Sequence, residues 1–215
     1  MPVVQLCEES AMQAPVIVYS DFNCPFCYAL NEELGRLDIT ERLSWRGVQH
    51  APGLPVPLVS WNGELTEALE REVEAVRLRA PELPIEAPGG KPNTARAIRA
   101  AALALAMDRQ RGHAFKDLLY RAFWCRGTDL SDPETLDRLA AEAGFTGLSF
   151  AQLDRHEIVA TTSGWQHEWE QNGCLAVPAL LRPDGVTLIG FHGREQTAQF
   201  LQSEIGARPG SSRAV

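Results

Sequence analysis

The spacing of apolar residues changes twice along the chain. Val16 to Ser20 is an unbroken apolar, β-branched run, the pattern of a buried strand. Phe26, Leu30, Leu34 and Leu37 then recur at helical spacing. Pro25 suits the first position of that helix, with Asn23 or Cys24 as its cap. Arg42 to His50 alternates and predicts a second strand. Strand, helix, strand in this order is the βαβ unit of a parallel pair.

The middle of the chain reads differently. Ala51 to Val59 carries Pro52, Pro55 and Pro57 and predicts a loop. A helix follows, with Leu65, Leu69, Val73 and Val76 on one stripe facing the core of its own block. Pro81 to Pro92 is a second proline-rich loop. Asn93-Thr94 is predicted to cap an alanine-rich helix, Ala95 to Arg109. Phe115 to Trp124 suggests another, and Ser131 is predicted to cap a further one that stops at Gly144. Residues 62–147 thus read as an all-helical block.

Strands return at the end. Phe150 to Asn172 is helical in pattern and closes at Gly173. Two short apolar runs flank Arg182-Pro183-Asp184-Gly185, a strong hairpin signal. Glu195 to Ile205 predicts a last helix, and 208–215 a disordered tail. With the block set aside, the order is β-α-β-α-β-β-α. The predicted division is one α/β domain from 14–61 and 148–207, with 62–147 inserted.

Composition narrows the function. The 215 residues are 45% hydrophobic and 22% charged, an ordinary globular balance. A net charge of −8 argues against binding to phosphate backbones, so no nucleic-acid partner is expected. No apolar run approaches the roughly 20 residues that cross a bilayer, and no membrane partner is expected. The first ten residues lack a basic start and carry Glu8 and Glu9, unlike a secretory signal, which predicts a cytoplasmic protein. Five cysteines, Cys7, Cys24, Cys27, Cys125 and Cys174, are too few for a disulfide framework in a chain this long.

The chemistry gathers at Cys24-Pro25-Phe26-Cys27. The thiolate is the reactive form of cysteine. Cys24 falls at a predicted helix start, where unpaired backbone N–H groups and the positive dipole end favour that thiolate. Cys27 lies one turn further, placed to attack a mixed disulfide on an exposed Cys24. A zinc half-site is the competing reading. It requires a second pair of ligands at motif spacing, whereas Cys125 and Cys174 are isolated and His50, His113, His156, His167 and His192 are scattered. No metal is expected. Free cysteine is often simply a small buried residue, and Cys125 and Cys174 are read that way, with Cys7 in a terminus. The five tryptophans are read as core or interface residues.

The segments "VIVYSDFNCPFCY" and "NGCLAVPALL" together resemble the DsbA-like branch of the thioredoxin superfamily. The stretch from Lys91 to Trp124 resembles its FrnE and 2-hydroxychromene-2-carboxylate isomerase members. The resemblance implies a thioredoxin fold with an inserted all-helical domain. It implies a cis-proline opposite the two thiols, at Val177-Pro178. The site residues it implies are Cys24 as nucleophile, Cys27 as resolving thiol and Pro178, with Val177, Phe26 and Pro25 against substrate. Two departures stand out. Relatives keep a buried carboxylate on the first strand, where Val18 stands here, so water or a group from the helical block must take the Cys27 proton. Asp21 is closer to the motif and is read as a capping or loop residue. Phe26 replaces the histidine of periplasmic DsbA, which implies a Cys24 less acidic than the DsbA value of about 3.5.

Three functions compete. The first is a thiol–disulfide oxidoreductase acting on disulfide- or thiol-containing proteins or small thiols. The second is a glutathione-using isomerase or transferase, in which glutathione would be the co-substrate; such relatives usually carry serine in place of Cys24. The third is a binding module presenting Phe22, Phe26 and Tyr28 as an apolar patch. Retention of both thiols favours the first. Oligomeric state is not legible.

Overall fold

A computed structural model describes residues 14–37, 39–146 and 153–202. The apolar run Val16–Ser20 is a strand, β1, and Leu43–Gly47 pairs with it in parallel as β2, placing Val18 opposite Trp45. Helix α1, Pro25–Arg36, joins them. Ala179–Leu181, β3, pairs antiparallel with the other side of β1, and Thr187–Ile189, β4, extends the hairpin. The strand order is therefore β2-β1-β3-β4, with β1 in the interior of the sheet. Interior position is what an unbroken apolar strand requires. Gly185 supplies the left-handed backbone, φ 84°, that turns the hairpin.

Between β2 and the hairpin lie α2 (Glu64–Arg79), α3 (Ala95–Met107), α4 (Arg109–Arg126), α5 (Pro133–Glu142) and α6 (His156–Gln171). Helix α7, Arg194–Gln202, closes the described chain. This is the expected α/β thioredoxin fold with inserted helices. No helix among the described residues is long and apolar enough to cross a membrane.

Several local expectations are corrected. Helix α4 begins at Arg109 rather than Phe115, because the Asp108 carboxylate caps it by accepting the Arg111 N–H at 2.9 Å. Gly112 then lets α4 approach α3: a Cβ there would lie 2.6 Å from the Leu105 backbone. The cap of α5 is Asp132, which accepts the Thr135 N–H at 3.0 Å, whereas the Ser131 hydroxyl donates to Asp129. In α2 the buried stripe is Leu69, Val73 and Val76, while Leu65 in the first turn is 56% exposed. The tail at 208–215, the end of the last helix at Ile205, the helix start at Phe150, the block boundary at 147 and Cys7 lie outside the described residues.

Aromatic contacts join the inserted helices to the thiol motif. The Phe22 ring packs 4.7 Å from Tyr120 and 5.4 Å from Trp45, centroid to centroid. The Trp124 indole N–H donates to the Phe22 carbonyl at 2.9 Å. All four side chains are buried. Helix α4 is thereby fixed beside β1 and α1.

Candidate active site

Cys24 is the N-cap of α1, with extended backbone (φ −104°, ψ 120°), and Pro25 takes the first helical turn. Both thiols are buried: Cys24 is 5% exposed and Cys27 1%. The expectation of an exposed nucleophile is therefore corrected, and the reason is the chain opposite. Val177-Pro178 is cis, directly before β3. Pairing of β3 with β1 carries it over the motif, where the Cys24 thiol donates to the Val177 carbonyl at 3.6 Å. Pro25, Val177 and Pro178 are buried and Phe26 is half-buried. Two segments far apart in sequence, Cys24 to Cys27 and Val177-Pro178, thus meet at the Cys24–Val177 contact.

Asp21 is more than a loop residue. It is fully buried. Its carboxylate accepts from the Thr94 hydroxyl at 2.6 Å, the His50 ring Nδ1 at 2.8 Å and the His50 backbone N–H at 3.0 Å. Its own backbone ties both cysteines, accepting the Cys24 N–H at 3.3 Å and donating to the Cys27 sulfur at 3.4 Å. Thr94 stands at the start of α3 but spends its hydroxyl on Asp21, and Asn93 supplies the cap by accepting the Ala95 N–H. Asn93 also donates to the Pro52 and Leu54 carbonyls, and Asn23 to the Pro92 carbonyl. The two proline-rich loops thus meet beside the motif.

Electrostatics separate the thiols. Burial alone would raise the Cys24 pKa. Hydrogen bonds from the Cys27 thiol and backbone N–H, with the charges of His50 and Lys91, overcome this and hold it below the ordinary value. Cys27 moves the other way: burial, then its hydrogen bond to Cys24 and the charge there, push it well up. The His50 ring is 29% exposed. Burial would lower its pKa, but the hydrogen bond and charge of Asp21 raise it. Lys91 is 7% exposed and paired with Glu72 at 2.6 Å.

Phe22 and Tyr28 are fully buried, which removes the exposed apolar patch of the binding-module reading. Cys174 is buried. Cys125 is only half-buried and donates to the Pro84 carbonyl at 3.1 Å. Among the tryptophans, Trp45 and Trp124 are core, while Trp61, Trp165 and Trp169 are half-buried against it. Sequence reasoning missed His50 and Lys91 and read Thr94 only as part of a helix cap. One signal was present for His50: it follows the carboxyl end of β2, next to the carboxyl end of β1 where the motif sits, and that edge of an α/β sheet gathers functional groups.

A parallel β1-α1-β2 unit, a thiol pair opening α1 and a cis-proline before an antiparallel hairpin define a thioredoxin-fold protein. Residues 15–202 match the DSBA-like thioredoxin domain, and the chain belongs to that family. It is 24% identical over 201 residues to the uncharacterized protein YwbO of Bacillus subtilis, covering 90% of this chain and 98% of that one. Three solved structures share the fold. One is described as a "probable DsbA oxidoreductase", SCO1869 of Streptomyces coelicolor (TM-score 0.70, 21% identity, 93% of each chain). The second is a 2-hydroxychromene-2-carboxylate isomerase (TM-score 0.67, 16% identity, 89% of this chain and 94% of that one). The third is DsbM of Pseudomonas aeruginosa, described as a cytosolic disulfide reductase, with GSH (TM-score 0.69, 14% identity, 90% of this chain and all of that one).

Proposed function

We propose that this protein is a thiol–disulfide oxidoreductase in which Cys24 is the nucleophile and Cys27 the resolving thiol. The observation that carries the reading is the pair of thiols at the start of α1 with the Val177 carbonyl and Pro178 directly opposite Cys24. The Cys24 thiolate attacks one sulfur of a substrate disulfide. That S–S bond breaks, and the departing sulfur leaves with the electron pair and takes a proton. Cys27 then loses its proton and attacks the Cys24 sulfur, releasing the second substrate thiolate and closing Cys24–Cys27. The reverse sequence oxidises a substrate dithiol. His50, whose pKa Asp21 raises, steadies the Cys24 thiolate, the part a histidine inside the motif would play. Backbone groups at Val177 pair with an extended substrate, and Pro25 and Phe26 flank it.

Substrates on this reading are disulfide- or thiol-containing proteins or small thiols, with glutathione as co-substrate class and the cytoplasm as the compartment. The DsbM neighbour, described as cytosolic and seen with GSH, supports both. Residues 62–147 act as the inserted domain, with 91–94 closing the Asp21 side of the site. The isomerase neighbour favours a second reading, a glutathione-dependent isomerase or transferase. That chemistry activates the thiol of glutathione and has no use for Cys27. The test is insulin reduction driven by dithiothreitol, run beside a glutathione-dependent isomerase assay. Insulin turnover abolished by Cys24→Ser supports the proposal. Isomerase activity that survives Cys27→Ser, without insulin turnover, overturns it.

A further inference from the structure

Resolution of the mixed disulfide asks Cys27 to give up a proton while 1% exposed, and the strand beneath it offers Val18, not an acid. A cavity of about 260 Å³ is lined by Cys27 but by neither Cys24 nor Val177. It runs between α1 and α4, which lie antiparallel. The Ser20 hydroxyl, which lines it, is 2.6 Å from the Tyr120 hydroxyl. One turn along α1 from Cys27, Asn31 accepts from the Lys116 amino group and donates to Asp117 at 2.9 Å, while Lys116 and Asp117 pair at 2.9 Å. One turn further along α4 is His113, and the cavity also reaches Gly35, Thr40 and Gln110.

Both ring nitrogens of His113 are buried and lack a hydrogen-bond partner among the described residues. An imidazole carries a donor and an acceptor when neutral, and leaving both unmet is costly. The adjoining cavity is polar at Asn31, Lys116 and Asp117 and has room for several waters, which would satisfy the ring. Burial, followed by the charges of Lys116 and Arg109, pushes the His113 pKa down to about 4, with Asp117 opposing. The ring is therefore neutral in ordinary conditions. It is suited to accept a proton on one nitrogen while releasing one from the other. From α1 the group facing this path is Asn31, and from the strands Val18, Leu43 and Trp45.

We propose that this cavity is a hydrated proton port for the resolving thiol, with His113 of the inserted helices relaying protons between Cys27 and bulk water. The inference rests on the oxidoreductase reading. The Cys27 S–H passes its proton to cavity water, and His113 hands one on towards solvent. The Cys27 thiolate forms the bond to the Cys24 sulfur, and the substrate thiolate leaves with the electron pair. Cys24 keeps its substrate on one side while Cys27 exchanges its proton on the other.

The experiment is stopped-flow reaction of the full-length reduced protein with an aryl disulfide whose thiolate is coloured, with Cys24→Ser giving the background from other thiols. Attack by Cys24 releases the first aryl thiolate, and attack by Cys27 the second. Leu34→Phe, which fills the cavity, and His113→Leu, which removes the relay at a site with no hydrogen bond to lose among the described residues, are each compared with wild type. Both are expected to slow the second release about tenfold relative to the first and to move its pH profile upward, a tenfold loss corresponding to one pKa unit. The inference is overturned if the ratio of the two releases and the pH profile are unchanged, or if both releases slow alike. Should Leu34→Phe not fold, His113→Leu decides alone. If wild type gives no first release, the oxidoreductase reading itself fails.

Discussion

The front of the dithiol site, around Cys24, and its back, around Cys27, are built from the same helical turn yet shift their thiol pKa values in opposite directions. Cys24 accepts hydrogen bonds from Cys27 and has the charges of His50 and Lys91 near it, which outweigh burial and lower its pKa. Cys27 has burial and the charge of its neighbour, and its pKa is raised. Asp21 joins the two through its backbone, while its carboxylate serves only the front, through His50 and Thr94. The difference teaches that two chemically identical side chains are told apart by which distant segments reach each one. The hairpin, the end of β2 and the loop before α3 reach Cys24. Helix α4 and β1 reach Cys27.

The largest effect should appear in thiol labelling. In the reduced protein near pH 7, iodoacetamide is expected to modify Cys24 faster than Cys27 by well over tenfold, read by peptide mass mapping. Preferential labelling of Cys27 would reverse the two roles. Cys27→Ser should then accumulate mixed disulfides through Cys24, visible by intact mass.

Removing the front charge comes next. His50→Gln is expected to raise the Cys24 pKa and lower its alkylation rate near neutral pH by about tenfold. Asp21→Asn takes away the carboxylate that raises the His50 pKa. The alkaline limit of the His50 contribution should move to lower pH, followed through thiolate absorbance. An unchanged Cys24 titration in His50→Gln would detach this histidine from the site.

The back thiol should show in stability at high pH. A pKa raised in the folded state means that the folded protein holds its proton longer than the unfolded chain, whose thiol titrates near 9. That contribution is fully present below pH 9 and is lost as pH rises through the folded value. Urea unfolding of reduced protein should therefore weaken above pH 9, and Cys27→Ser should flatten the loss. Cys24, with its lowered pKa, contributes in the opposite sense: its share is present above 9 and is lost as pH falls through its folded value.

The smallest effect concerns the link from α4 to β1. Tyr120→Phe leaves the Ser20 hydroxyl without its 2.6 Å partner and is expected to cost about 1 kcal/mol of stability. Cys24 labelling should not change. A slower Cys24 in this variant would mean that front and back are coupled through β1.

The sequence alone determined the elements whose signals are local. Val16–Ser20, the Pro25 helix start, the Asp184-Gly185 turn and the glycine stops depend on neighbours within a few residues, so periodicity and turn chemistry reveal them. It also placed Cys24 and Cys27 at the head of a helix, because spacing of three on a helix is a local fact. Cap choice was less legible: Ser131 and Asp132 compete for adjacent positions, and packing of the preceding loop decides between them. Tertiary structure alone decided what surrounds each thiol. Asp21 reads as a loop residue until Thr94, 73 positions later, donates to it. His50 reads as one of five scattered histidines until parallel pairing sets the ends of β1 and β2 side by side. His113 joins the Cys27 cavity only because Phe22, Tyr120 and Trp124 pin α4 against α1 and β1. Such groups act through burial and through-space charge, whose strength follows distance and surroundings in the folded chain, and neither is written in the order of the residues.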